Sequence, residues 1–286
     1  MKKTAIYLML AATAALGFTA CDHVADARAP QSTDIQGNRK VLIEDYTGHK
    51  CGNCPAAADT LAYIKNKYPG KIIPVAIHAG FFATAAPGTS YPTDLRNPVA
   101  DAYDTQFGIS TAGNPNGLVN RTGYGSGGFI KAYTTWEGNA YAALTGAAKF
   151  GLKIRTTFNA GNNNLNTSVV ATSLGYNTGS YKLVVLLTED SIIAEQLDYR
   201  LPSGSQLIPN YEFSHVLRDA VNSTWGDAIF ASGAIPNDSI VKTYNYALNP
   251  TFRARHCHVV AYIYDANSSS PTYYEVLQAE EEKVVH

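Results

Sequence analysis

Four cysteines occur in this chain of 286 residues, and two of them stand two residues apart in Cys51-Gly52-Asn53-Cys54. Such a pair can close a small disulfide and open it again, provided one sulfur is held as the thiolate and can be reached. The flanking residues bear on this. Val41-Leu42-Ile43 is a short apolar, β-branched run of the kind that forms a buried strand. Asp45 to Lys50 reads as a polar turn, and Ala57, Leu61, Ile64 and Tyr68 then recur at helical spacing until Pro69-Gly70 ends the run. Pro55 falls in the first helical turn, where its missing N–H costs nothing. "KIIPVAIHAG" supplies a second buried strand. The spacing therefore predicts a βαβ unit with the dithiol where strand passes into helix. The unpaired N–H groups of a helix start carry partial positive charge and favour the Cys51 thiolate. Cys51 becomes the attacking sulfur and Cys54 the resolving one.

Two other readings of the pair stay open. A disulfide outside the cytoplasm can simply remain oxidised, although a bridge across two residues removes little loop entropy. A zinc site could combine the pair with His256, Cys257 and His258. Strand alternation opposes that: it turns Cys257 toward Val259 and Ala261 and both histidines the other way. Cys257 then reads as a small core residue, and neither metal nor cofactor is expected.

The compartment follows from the first residues. Lys2 and Lys3 precede an apolar run from Tyr7 to Phe18 and the small pair Thr19-Ala20, the pattern of an export signal. The run is shorter than the ~20 residues of a bilayer span. Phe18-Thr19-Ala20-Cys21 resembles a lipobox, with Phe18 where leucine is usual; the resemblance implies lipidation at Cys21. Residues 1–20 are thus expected to be a lipoprotein signal peptide, and the polar stretch 21–38 a flexible tether. Acyl chains, at about 0.8 kcal/mol per buried CH₂, would hold the protein to a membrane. A charged fraction of 16% and a net charge of −1 argue against nucleic acid as a partner. The 19 tyrosines suit either a contact surface or β-sheet.

The arrangement around the dithiol resembles the thioredoxin-like superfamily, and the resemblance continues through "YDTQFGISTAGNPNGLVNR". It implies that Pro115 is a cis-proline facing the dithiol and that Asn114 offers backbone polar groups to a bound peptide. It also implies that Asp45 is the buried acid that handles the proton of the resolving cysteine, with Glu44 as a rival. His78, at the end of the second strand, reads as a satisfied structural histidine rather than a tuning group. Residues 79–98 are longer than an ordinary connection and read as an insertion beside the dithiol, either a lid or a solvated loop.

From Gly151 the period changes. Short alternating runs separated by Asn, Gly, Ser and Pro predict an antiparallel sandwich of about seven strands, with one enlarged loop over Asp198 to Asp238. Within it, His215, Arg218 and Asp219 read as surface polar contacts. The expected fold class is α/β plus all-β: a thioredoxin-like domain over 39–148 followed by an immunoglobulin-like antiparallel β-sandwich domain over 149–286.

The lipobox-like start, "VLIEDYTGHKCGNCPAA", "NPNGLVNR", "HVLRDAVNSTWGD" and "VVAYIYD" together resemble the Bacteroidetes family of twenty-eight-kilodalton outer-membrane lipoproteins. The resemblance implies attachment to the outer membrane through Cys21, on the periplasmic face or the cell surface. It also implies a role as an adhesin or receptor without catalytic activity, with envelope or host proteins as partners. The residues themselves favour a thiol–disulfide oxidoreductase acting on envelope proteins.

Overall fold

A computed structural model describes residues 39–286; the stretches expected to be a signal peptide (1–20) and a tether (21–38), with Cys21, lie outside the described residues. The first part contains β1 (Val41–Thr47), α1 (Cys54–Lys67), β2 (Ile72–His78), α2 (Pro98–Phe107), α3 (Ile109–Ala112), β3 (Asn116–Val119), β4 (Lys131–Ala132) and α4 (Trp136–Leu144). The second contains β5 (Phe150–Asn159), β6 (Asn164–Ser173), β7 (Tyr181–Glu189), β8 (Ile192–Leu197), β9 (Leu207–Phe213), β10 (Val216–Ala220), β11 (Asp227–Ile229), β12 (Ser239–Ala247), β13 (Cys257–Asp265) and β14 (Val276–Lys283). The architecture is mostly β. The boundary read at 148/149 falls between α4 and β5.

β1 and β2 pair in parallel from Val41↔Ile72 to Thr47↔His78. Every residue of both strands is buried, as expected of parallel strands covered on both faces, and the stretches Val41–Ile43 and Ile72–Ile77 read as apolar runs for that reason. Pro74 is tolerated inside β2 because of parity. The Ala76 N–H donates to the His215 carbonyl of the neighbouring chain segment at 2.8 Å. The Pro74 nitrogen, two residues earlier, faces the same side, where β10 pairs with β2 only at Ala76.

That single bridge joins the two parts of the chain into one mixed sheet, in the order β14-β13-β7-β10-β2-β1-β3-β4, with β11 also on β7. The packing over one face is shared more widely than the strand pairing. Leu42, Tyr46, Ile73, Val75 and Ile77 of β1 and β2 lie in one apolar cluster with Val184, Leu186, Leu217, Val260 and Tyr262. The cluster is closed by Val99, Tyr103 and Phe107 of α2. α2 is well delimited: the Asn97 side chain accepts from the Val99 and Ala100 N–H groups, Pro98 occupies the first turn, and Gly108 ends the helix in the left-handed region.

At the centre of that cluster is an ion pair. Arg121 is fully buried and donates from Nε and Nη2 to Glu44 at 2.8 and 2.6 Å. It also donates to the Tyr262 hydroxyl at 2.8 Å. Its guanidinium lies 4.7–5.0 Å from the ring centroids of Tyr103, Phe107 and Tyr262. A buried charge needs this degree of compensation. Glu44, the rival for the acid beside the dithiol, is committed here, on the sheet face opposite to Asp45.

The other face of β1 packs on α1 and α4 through Val41, Ile43, Ala57, Ile64, Trp136 and Leu144. In the second part, β5, β6 and β12 form a three-stranded sheet. Its alternate residues Ile154, Leu165, Val169 and Ala171 meet Leu183, Val185, Val259 and Ala261 of the large sheet. Cys257 belongs to that same cluster as a free, buried thiol, and burial pushes it up to about 12.

The segment expected as one enlarged loop over 198–238 carries β9, β10 and β11. β9 escaped the sequence reading because most of it is exposed or half-exposed, so it shows no apolar alternation. Pairing with β8 from Ile192↔Phe213 to Leu197↔Leu207 is what makes it a strand.

Candidate functional site: a capped disulfide and the cavity behind it

Cys51 and Cys54 form a disulfide immediately before and at the first residue of α1. The turn that presents them is tight: the Cys51 N–H donates to the Gly48 carbonyl at 2.9 Å and the Cys54 N–H to the Cys51 carbonyl at 3.2 Å. Gly48 is required, because a Cβ there would collide with the backbone of Phe82. The 79–98 insertion thus packs against the turn. The Lys50 N–H donates to the Phe82 carbonyl at 3.0 Å. His49 bonds the Thr84 carbonyl through Nε2 at 3.2 Å and stacks on Tyr91.

The opposite side of the turn is closed by the β8–β9 hairpin. Leu197 N–H donates to the His49 carbonyl and Tyr199 N–H to the Gly52 carbonyl, both at 2.8 Å. Gln196 Nε2 donates to the Cys51 carbonyl at 2.9 Å. The Tyr199 ring lies on Gly52, where any side chain would strike it. Under this cover Cys51 is 3% and Cys54 2% exposed. A solvent-accessible attacking sulfur is therefore not what the oxidised structure presents. Nothing in the CxxC spacing announced the cap, since Gln196, which bonds Cys51, lies 145 positions downstream, and of Gln196, Leu197 and Tyr199 only Tyr199 falls in the segment read as an enlarged loop.

Behind the disulfide is a cavity of about 280 Å³ between α1, the ends of β1 and β2, and β9. Cys54 lines it, together with Asp45, His78, Ala58, Lys65 and His215. Asp45 is buried, and its Oδ1 has no hydrogen-bond partner among the described residues. Burial raises its carboxyl to about 7. His78 is fully buried, and neither ring nitrogen has a partner among the described residues. Burial lowers it to about 3, with the charges of His49 and Arg218 acting in the same direction. The expectation of a satisfied structural histidine is thus corrected: the ring faces a cavity with no protein acceptor in reach.

The register places the proline loop at the same end of the sheet. β3 pairs with β1 through Tyr46↔Asn116 and Asp45↔Gly117, and the Asn114–Pro115 bond just before it is cis. The Asn114 side-chain oxygen and nitrogen are both buried without a partner among the described residues. Asp45 and Glu44, adjacent in sequence, are separated by the sheet.

Beside the cavity mouth, the Asp190 carboxylate receives the His215 N–H at 2.6 Å and lies 3.1 Å from the His215 ring. Its other oxygen is 3.6 Å from His258. Burial alone would raise the Asp190 carboxyl, but the hydrogen bonds and charge of His215 outweigh it and hold the group well below the usual range. The other residues read as surface contacts take defined places: Arg218 lies over the Phe252 ring at 4.2 Å, and Asp219 accepts from the Tyr246 hydroxyl at 2.7 Å. No cluster of His, Cys, Asp and Glu able to hold a metal occurs among the described residues.

Residues 100–285 match the family described as outer membrane protein Omp28. This chain belongs to that family. It is accordingly an outer-membrane protein, and among the described residues no helix is long and apolar enough to cross a membrane. The matched stretch begins after the disulfide, so family membership assigns nothing to Cys51 or Cys54. Among solved structures, the chain is similar to HBP35 of Porphyromonas gingivalis, with a TM-score of 0.61 at 15% identity over 87% of this chain and 76% of that one. It is also similar to a protein from Agrobacterium tumefaciens, with a TM-score of 0.50 at 13% identity over 87% of this chain and 96% of that one. A domain of the outer membrane lipoprotein Omp28 of Porphyromonas gingivalis aligns at 20% identity over 48% of this chain and 88% of its own, with a TM-score of 0.30. At these identities the first two similarities speak for the fold alone. No curated protein matches the chain.

Proposed function

We propose that this Omp28-family member is a lipid-anchored thiol–disulfide oxidoreductase of the outer membrane. It would be tethered through Cys21 and act on envelope proteins through Cys51 and Cys54. In this reading residues 39–148 are a thioredoxin-like domain and residues 149–286 an immunoglobulin-like sandwich that supplies the cap. The observation that carries it is the pairing of a disulfide at the start of α1 with Asp45, a buried carboxyl on the wall of the same cavity as Cys54.

In the reduced protein, the N–H groups at the start of α1 stabilise the Cys51 thiolate. With the hairpin lifted, that thiolate attacks one sulfur of a substrate disulfide, forming a mixed disulfide and releasing a substrate thiolate. Asp45, raised to about 7, takes the Cys54 proton. The Cys54 thiolate then attacks the Cys51 sulfur and expels the second substrate thiolate, and the two released thiolates take up protons. The substrate disulfide is reduced to two thiols and the pair is oxidised. Pro115 and Asn114, at the same sheet end, would border the bound peptide.

The deciding measurement is the equilibrium potential of the pair together with an insulin-reduction assay. A working pair lies above about −300 mV, the range below which structural bridges sit. Activity that survives Cys51→Ser would refute the reading. The alternative, an adhesin or receptor without exchange chemistry, draws on exposed aromatic residues such as Phe81 and Tyr199 beside the turn. Whole-cell binding to host matrix proteins, with and without the gene, tests it.

A further inference from the structure

Resting on that reading, we propose that the cavity behind α1 is a port for a small polar thiol of cysteine size, which reduces the disulfide by attacking Cys54 rather than Cys51. Three observations lead there. First, the outer side is closed: the hairpin and the 79–98 insertion both bond to the Gly48–Gly52 turn, and neither cysteine is exposed there. Second, Cys54 lines the cavity whereas Cys51 does not. Third, the cavity sets unpartnered polar groups into a mostly apolar wall. Buried Asp45 Oδ1 and both His78 ring nitrogens lack partners among the described residues, and such groups are rarely left bare.

The volume of about 280 Å³ gives room for an amino-acid-sized thiol and not for a folded protein. The rim includes exposed Ala62, Asn66 and Glu212 with half-buried Lys65 and His215. It offers charge of both signs to the ammonium and carboxylate of such a molecule.

The chemistry agrees with the direction of attack. A thiolate RS⁻ strikes the Cys54 sulfur, the Cys51–Cys54 bond breaks, and Cys51 departs with the electron pair. The helix start that stabilises a Cys51 thiolate makes Cys51 the better leaving group. A second RS⁻ attacks the external sulfur of the RS–S–Cys54 adduct, giving RSSR and the Cys54 thiolate. Asp45 and solvent return the two protons lost by the two RSH molecules. The small thiol is oxidised and the pair is left reduced for its next protein substrate.

The test uses the full chain in its oxidised form and excess L-cysteine, so that reduction proceeds whatever the potential of the pair. Ala58→Phe, which fills the cavity wall, should slow reduction at least tenfold with an unchanged melting curve. Ala62→Phe, at the exposed rim, serves as the second plug should Ala58→Phe fail to fold. Tyr199→Ala, which uncaps the outer side, should change the L-cysteine rate less than twofold while admitting a thiol carried on a bulky polyethylene glycol. Acid quenching early in the reduction of the oxidised chain by L-cysteine, followed by fragment mass spectrometry, should find the first cysteine adduct on Cys54 at least tenfold more often than on Cys51. A first adduct mainly on Cys51, or plugs that change nothing while Tyr199→Ala accelerates L-cysteine, would overturn the port. A pair with the potential of a structural bridge would instead overturn the oxidoreductase reading and leave the access route as measured.

Discussion

The ring of Tyr199 occupies the space into which any side chain on Gly52 would project, so a residue of the second part of the chain seals the dithiol turn of the first. The contact is reinforced by the Tyr199 N–H bond to the Gly52 carbonyl. Gly52→Ala should displace the hairpin and cost about 1–3 kcal/mol, as overpacking does. It should also speed reduction by a bulky thiol. Thermal melts and reduction kinetics on the same variant check both effects together.

Asp45 and His78 give opposite pH dependences that mask one another. The Asp45 carboxyl is raised from 3.8 to about 7, so the folded state holds its proton where the unfolded chain has lost it. Its contribution is complete below pH 4 and is lost as pH rises toward 7. His78 is lowered from 6.5 to about 3; its contribution is complete above pH 6.5 and is lost as pH falls toward 3. Asp45→Asn should therefore leave a protein whose stability climbs from pH 4 to 6.5. His78→Leu should leave one whose stability falls from pH 4 to 7. Denaturant midpoints across that range should show the two slopes with opposite sign.

Breaking the Glu44–Arg121 pair from one side strands a fully buried charge. Glu44→Gln should cost about 3–5 kcal/mol. Glu44→Leu combined with Arg121→Met should recover most of it, because removing both charges also removes the desolvation penalty. A double-mutant cycle by urea denaturation would read the difference.

Cutting the chain at 148/149 should damage both pieces. The cluster formed by Leu42, Ile73, Tyr103, Val184, Val260 and Tyr262 draws on both sides of the cut. Each apolar side chain uncovered forfeits about 1.5–3 kcal/mol. Residues 149–286 alone should bind a hydrophobic dye and melt below the full chain, and mixing the two pieces should reverse both effects.

Much of the site was legible from local pattern. The CxxC pair, the buried strand before it, the helical spacing after it and the stop at Pro69-Gly70 are all written within thirty residues, because each depends on periodicity and backbone sterics alone. Cys257 was placed in the core by alternation for the same reason. His78 was misjudged because the identity of a residue does not say whether its ring nitrogens will meet a partner or a cavity. Between Glu44 and Asp45 the choice stayed open because it turns on what lies across each face of the sheet, and Arg121 on the one side and the cavity on the other are brought there by distant segments.

By itself the sequence determined the strand–helix–strand frame, the position of the two sulfurs at a helix start and the change to β-structure after residue 149. These follow from interactions between residues close along the chain. Only the tertiary structure decided that one bridge at Ala76 joins the parts into a single sheet, that a hairpin covers the disulfide, and that Cys54 backs onto the cavity that also holds Asp45 and His78. Cover, cavity and seam are made by backbone groups and side chains more than a hundred residues apart, whose meeting depends on how whole layers pack rather than on any local pattern.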